Sequence, residues 1–377
     1  MAIGIKDGLK LIGISIVAFC AVYVCTFMLN FYLDVLPLRD TVEEAYLPLY
    51  EAQLSMAQFT AAITGGILAL IAVVMLIFYI RLYIDSHAAQ LGILKALGYS
   101  RKGIALKFWV FGLSVFLGCA LGFGCGWASM SFIYDGLAIE GLDIAINFHY
   151  ELLLGLVMAP TAVFTVLSCV FPYFTLRRPV MQLMRGTQKQ EKLRIESKDK
   201  NRSFLAETCF AAVSSKKTLA FFVALSTFCF SAMVQMGLSM KDLSTETMGL
   251  MILIIGLVLA VVTMFMALTS LIRANAKNIS IMKAFGYSLK DCCIAVLGGF
   301  VPFAVLGFAL GTVYQYGLLM LMVNLLFANV SEMPSYSFDV PVFFITLAAF
   351  LVSYTLATAF YIFRINKISV KEVMTEI

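Results

Sequence analysis

Eight long apolar runs alternate with polar intervals along the chain, at about 11–33, 59–84, 104–134, 151–176, 218–238, 247–272, 292–323 and 340–363. Each has about 20 residues or more, the length a helix rising 1.5 Å per residue needs to cross a hydrocarbon core. Inside a bilayer every backbone N–H and C=O must be bonded within the protein, and runs of this length satisfy that as helices rather than barrel strands. The predicted fold is an all-α integral membrane protein with eight transmembrane helices. An even number of crossings returns both termini to one side. The first run follows Lys6 and Lys10, yet it is too long for a leader and lacks a small-x-small cleavage site, so it reads as a retained helix.

The polar intervals carry a second pattern. Leu91-Gly92-Ile93-Leu94-Lys95-Ala96-Leu97-Gly98-Tyr99-Ser100 returns as Ile279-Ser280-Ile281-Met282-Lys283-Ala284-Phe285-Gly286-Tyr287-Ser288. The two lysines lie 188 residues apart in a chain of 377, so the period is half the chain and implies internal duplication. The expected organisation is a first four-helix repeat over 1–185, a linker over 186–215 and a second four-helix repeat over 216–377, related by pseudo-two-fold symmetry. In the first copy Leu91, Leu94 and Leu97, with the Ile93/Leu97 pair, fall at i, i+3, i+4 spacing and predict a short amphipathic helix. Gly98 stands where such a helix ends in a left-handed residue. A helix of this kind either orders a turn at the lipid surface or offers a face to a partner. The duplication favours a partner, because two copies suit a two-fold symmetric one.

Composition agrees with a membrane chain: 62% of residues are hydrophobic and 13% charged, against roughly 45–50% and 25% in soluble domains. Charge sets the expected orientation. With both termini, both repeat segments and the linker on one side, that side holds every Lys and Arg except Arg39 and Lys241. The opposite intervals hold Asp34, Asp40, Glu43, Glu44, Glu51, Asp135, Glu140, Asp143, Glu151, Asp242, Glu246, Glu332 and Asp339. The positive-inside rule makes the lysine-rich side, and hence the N- and C-termini, cytoplasmic. The net charge of +5 is then topology and attraction to membrane lipid, and calls for no nucleic acid.

Little in the chain suggests catalysis. The histidines are His87, on the repeat side, and His149, at the opposite membrane edge. No catalytic residues, metal site or bound cofactor are expected. Cys292-Cys293 has no CxxC and no nearby histidine, and the nine cysteines read as small apolar helix residues without a disulfide framework. Gly122-Phe123-Gly124-Cys125-Gly126 lies in an apolar run with no preceding strand, so it is no nucleotide fingerprint, and no GxxxxGK[S/T] loop is present. Gly118, Gly122 and Gly126 share a helix face, as do Gly307 and Gly311, and predict close helix packing. The apolar runs carry essentially no charge, which disfavours an ion-coupled transporter. Phe27 and Phe31 in the first run, and Phe228 and Met233 in the fifth, are packing residues or a weak candidate wall for an apolar substrate.

The repeated segment resembles the "glu-ile-gly-ile-leu-arg-ala-leu-gly-ala-ser" signature of FtsX-like permeases, the membrane subunits of ABC transporters of the macrolide-exporter and lipoprotein-releasing type. The second copy is looser, with Ser280 for the first glycine and Met282 and Phe285 for leucines. Arg177-Arg178-Pro179-Val180-Met181-Gln182-Leu183-Met184 resembles the segment that closes each family domain, and Ile368-Ser369-Val370-Lys371-Glu372-Val373-Met374 is its pair. The resemblance spans about 59–184 and 247–374. It implies two fused domains in a bacterial cytoplasmic membrane, with two ABC ATPase subunits beneath one chain. ATP and Mg would be bound by those subunits and not by this chain. It also implies that 86–100 and 274–288 are coupling segments, with Leu91, Leu94, Lys95, Ala96, Leu97, Gly98, Ile279, Met282, Lys283, Ala284, Phe285 and Gly286 receiving the ATPase, and that helices one, two, five and six form the central interface. The implied function is ATP-driven export or extraction of an amphipathic or hydrophobic compound such as a peptide, lipid or antimicrobial. The alternative is mechanotransmission or sensing, in which nothing crosses. The family's large extracellular domain is reduced here to about 25 residues in the first half and fewer than ten in the second. That disfavours adaptor docking or lipoprotein handling and leaves open a further membrane or extracellular partner. Eight helices rather than ten also separate the chain from the bacitracin-resistance permeases.

Overall fold

The computed structural model of the chain describes residues 5–41, 47–131, 134, 146–177, 179–181, 209, 213, 217–243, 246–326 and 337–366. Most of the expected linker 186–215, Arg178, Gln182–Met184, the closing segment Ile368–Met374 and the acids Glu43, Glu44, Asp135, Glu140, Asp143 and Glu332 lie outside the described residues. Among the described residues every regular element is helical. Eight stretches are long and apolar enough to cross a membrane: Leu11–Arg39, Gln53–Asp85, Arg101–Ala128, Tyr150–Thr175, Lys217–Ser239, Ile252–Ile272, Lys290–Asn324 and Val340–Phe360. They coincide with the eight apolar runs. The chain divides into two compact units, Met1–Lys192 with Asn324–Met333, and Leu193–Val323 with Pro334–Ile377.

In the first unit, α1 (Ile5–Val35) ends in a 3-10 turn, Leu36–Thr41, and α2 runs over Leu47–Ser86. Then come α3 (Ala88–Ala96), α4 (Arg101–Leu106) and α5 (Trp109–Ala128). The fourth span consists of α6 (Tyr150–Leu153), a π turn at Leu154–Met158 and α7 (Ala159–Thr175). Helix α1 is the core of this unit, packed on α2 and α5, while α7 covers α5, α2 and α4. Leu113, Leu117 and Leu121 of α5, and Val163, Val166, Val170 and Phe174 of α7, are exposed at helical spacing and form faces suited to lipid.

The second unit repeats the plan with α8 (Lys217–Leu243), α9 (Glu246–Ala284), α10 (Leu289–Leu297), a 3-10 turn at Gly298–Phe300, α11 (Val301–Leu326) and α12 (Val340–Asn366). Helix α8 is its core, packed on α9 and α12.

The same seam holds the first and third spans in each unit. A Cβ on Gly122 would sit 2.6 Å from Phe19 O of α1, and one on Gly118 would meet the Ser15 carbonyl. In the second unit a Cβ on Gly311 would sit 2.6 Å from Phe228 O of α8, and one on Gly307 would meet the Ala224 carbonyl. Glycine lets the backbones approach to contact where lipid offers no hydrophobic drive for helix association. Hydrogen bonds lace the same seams. Ser15 donates to Ser114 O at 2.6 Å, and Tyr23 OH lies 2.9 Å from Ser129 Oγ. In the second unit Gln235 Nε2 donates to Thr312 Oγ1 at 3.0 Å and to Ser231 Oγ at 3.2 Å.

Two elements extend about twelve residues beyond their apolar runs. Helix α2 has 40 residues and begins twelve residues before the expected start at 59. Pro48 is tolerated because it stands in the first turn, where its missing N–H has no helical partner to lose. Helix α9 has 39 residues and continues straight into the second repeat segment. The first copy is a separate helix, because the chain breaks at His87, with φ −114° and ψ 21°. The expected short helix is therefore present once, as α3, and its counterpart is the last turns of α9. At the matching position Asn275 is fully buried and donates to Leu271 O at 2.9 Å without a break.

Candidate functional site

The repeated triplet Gly-Tyr-Ser has one physical job in each copy. Gly98 (φ 89°) and Gly286 (φ 82°) are the positive-φ residues among those described. In the first copy Gly98 N donates to Lys95 O at 3.2 Å and Tyr99 N to Leu94 O at 3.2 Å. In the second, Gly286 N donates to Lys283 O at 3.0 Å and Tyr287 N to Met282 O at 3.1 Å. This pair of bonds is a Schellman stop, and its left-handed position favours glycine. Ser100 and Ser288 then start the next helices as N-caps, accepting from Gly103 N at 3.1 Å and Asp291 N at 3.3 Å.

The stop turns one face of each segment outward. In α3, Ala88, Leu91 and Gly92 are buried and Lys95 is half-buried, a row at helical spacing, while Ile93, Ala96 and Leu97 face out. Leu97 is 71% exposed and Tyr99 52%. At the end of α9, Ile279 and Met282 are buried, Lys283 is half-buried and Ala284 is exposed. Phe285 is 78% exposed and, with Gly286, Tyr287, Ser288 and Asp291, lines an open recess of about 660 Å³. Each segment thus ends in exposed aromatic and aliphatic side chains beside its helix stop. Of the expected coupling residues, Ala96, Leu97 and Gly98 are exposed in the first unit, and Ala284, Phe285 and Gly286 are exposed in the second. Leu91, Ile279 and Met282 are buried and hold the segments from within, and Leu94 is half-buried.

Lys95 points elsewhere. Its ammonium donates to Leu176 O at 3.0 Å, across 81 residues of chain, at the C-terminal cap of α7. Desolvation, and then the charge of Arg101, hold its pKa below the usual lysine value.

Of the residues named as packing or a weak substrate wall, Phe27, Phe31 and Met233 are buried and Phe228 is half-buried. Phe27 and Phe31 are buried and meet the Tyr134 ring edge-on at centroid distances of 6.1 and 5.7 Å. Met233 is buried against the Gly256 position of α9, and Phe228 packs on Tyr314.

A charged site lies at the end of α1 remote in sequence from the repeat. Asp34, expected in a polar interval, sits in the last turn of α1 and is 4% exposed. Its carboxylate accepts from Tyr134 OH at 2.9 Å, Asn30 Nδ2 at 2.9 Å and Asn147 N at 3.3 Å, and His149 Nε2 lies 2.9 Å away. Four polar partners satisfy a buried carboxylate that would otherwise be costly. The Asn30/Asp34 pair at i, i+4 was the available signal, but the other partners are about 100 residues or more away in the chain. Nearby, Tyr50 of α2 is fully buried and donates to Val35 O at 2.8 Å, capping the end of α1.

Residues 62–180 and 250–370 each match the FtsX-like permease C-terminal family, and the two matches start 188 residues apart, the offset of the repeated lysines. No curated protein and no solved structure matches the chain.

Proposed function

The chain belongs to the FtsX-like permease family, membrane subunits that partner with ABC ATPases, and from that premise we propose that it couples ATP hydrolysis by two such subunits to export or extraction of an amphipathic or hydrophobic compound. The repeat end faces the cytoplasm in this reading, with ATP and Mg held by the partners. The observation that carries it is the pair of Schellman-stopped segments, each exposing an apolar tip, Leu97 with Tyr99 and Phe285 with Tyr287. Two like tips on one chain suit two like ATPase subunits. The cargo class follows from charge. Among the described residues Asp34 is the one buried ionisable carboxylate, and its oxygens are already taken. A path through such spans suits a molecule that does not require a buried counter-charge.

Mechanotransmission is the second reading, favoured by the rods. At 1.5 Å per residue, α9 is roughly 60 Å of unbroken helix ending in the second tip. Motion at the tip then reaches the opposite membrane face without any cargo moving. Reconstitution with the co-purified ATPase in vesicles separates the two. ATP-dependent movement of a labelled amphipathic peptide across the bilayer is the result expected of export. ATP turnover with no movement of peptide or labelled lipid supports mechanotransmission.

A further inference from the structure

We propose that Lys95 is a positioning residue that ties the first repeat segment to the C-terminal end of α7, so that movement of α3 pulls on the fourth span of its own unit. This deepens the coupling reading and rests on it for its function, though not for its geometry. Three observations converge on it.

Lys95 lies in the inward row of α3, in register with Ala88, Leu91 and Gly92, and on the face away from Leu97. Its ammonium reaches Leu176 O at 3.0 Å. That carbonyl belongs to the capping residue of α7, itself buried. The last four carbonyls of a helix have no partner within it, and they form the negative end of its dipole. A lysine ammonium is a compact charge with three donors, suited to that end and held there by a flexible stem.

The tie is not made by apolar contact alone. Helix α4, which follows the Gly-Tyr-Ser stop, also packs on α7, with Ile104 and Ala105 buried. The segment thus holds α7 twice, by α4 through packing and by Lys95 through the helix end. Packing fixes where the helices sit side by side, and a charge-assisted bond to the terminal carbonyl resists sliding along the axis.

The test uses the full chain in lipid nanodiscs, first without and then with its co-purified ATPase. Hydrogen exchange is followed over the last turns of α7, with Lys95→Met (same reach, no charge or donor), Lys95→Arg and Ala96→Asp compared. Without ATPase, Lys95→Met is expected to speed exchange of the amides at 173–177 several-fold, with Lys95→Arg near wild type and Ala96→Asp unchanged there. With ATPase, Lys95→Met is expected to keep the partner bound, while ATP plus vanadate no longer alters exchange in α7 as it does in wild type. Unchanged exchange at 173–177 in Lys95→Met overturns the tie. Loss of ATPase binding in Lys95→Met, with its retention in Lys95→Arg, also overturns it, by making Lys95 a contact for the partner. Failure of Ala96→Asp to weaken ATPase binding instead overturns the coupling reading, while the ATPase-free exchange still judges the tie.

Discussion

Two glycines and one aspartate carry the sharpest expectations at the scale of single residues. Nothing lies within 4 Å of a Cβ built on Gly98 or Gly286, so Gly98→Ala meets no clash and only the left-handed backbone resists it. Its cost is expected to be about 1–2 kcal/mol, confined to the α3–α4 stop and readable as faster amide exchange there. Asp34 is the opposite case, a side chain whose loss orphans others. Asp34→Ala removes the acceptor shared by Tyr134 OH, Asn30 Nδ2 and the Asn147 amide, of which Asn30 keeps its bond to Asn147 O at 3.2 Å. The expected destabilisation is about 1–3 kcal/mol, read as a lowered midpoint of thermal unfolding in detergent, with Asp34→Asn intermediate. Gly98 was legible from sequence because a helix stop is local chemistry. Asp34 was not, because the partners that make its burial tolerable come from segments far along the chain.

At the scale of elements, the two glycine seams make a controlled comparison. Gly122 faces the α1 backbone, which cannot yield as a flexible side chain would, whereas nothing lies within 4 Å of a Cβ on Gly124, two residues on. Gly122→Val is expected to separate α1 from α5 and cost about 1–3 kcal/mol, while Gly124→Val stays near neutral. Unfolding of both variants in the same detergent checks the difference. The apolar runs located all eight spans because hydrocarbon thickness is written directly into hydropathy. They did not locate helix ends. The first twelve residues of α2 and the last of α9 lie beyond the apolar windows, and helix continuity there follows from backbone bonding rather than from hydrophobicity. The break at His87 was equally hidden. His87 and Asn275 both bond the carbonyl four residues back, yet one helix breaks and the other continues. The stacking of His87 on Tyr83, with ring centroids 4.3 Å apart, belongs to the broken copy.

For the whole molecule, duplication is the feature from which function follows. The lysine offset, the two stops and the two family matches all express one half-chain repeat. The fold and the family were legible because they depend on run length and on a short motif. The division of labour within the motif was not, since facing is decided by packing: Leu91 turns in and Leu97 out, and Lys95 turns toward α7. The central claim is that the exposed tips are where ATPase subunits dock. The most direct test purifies the chain from its native membrane and compares wild type with the Ala96→Asp/Ala284→Asp double variant, by mass spectrometry and ATPase assay. Both alanines are exposed, so the variant is expected to insert and fold normally. Docking at the tips predicts an ABC ATPase near two per wild-type chain, lost from the double variant. Equal recovery of the ATPase with both proteins, or its absence from the wild type, would contradict it.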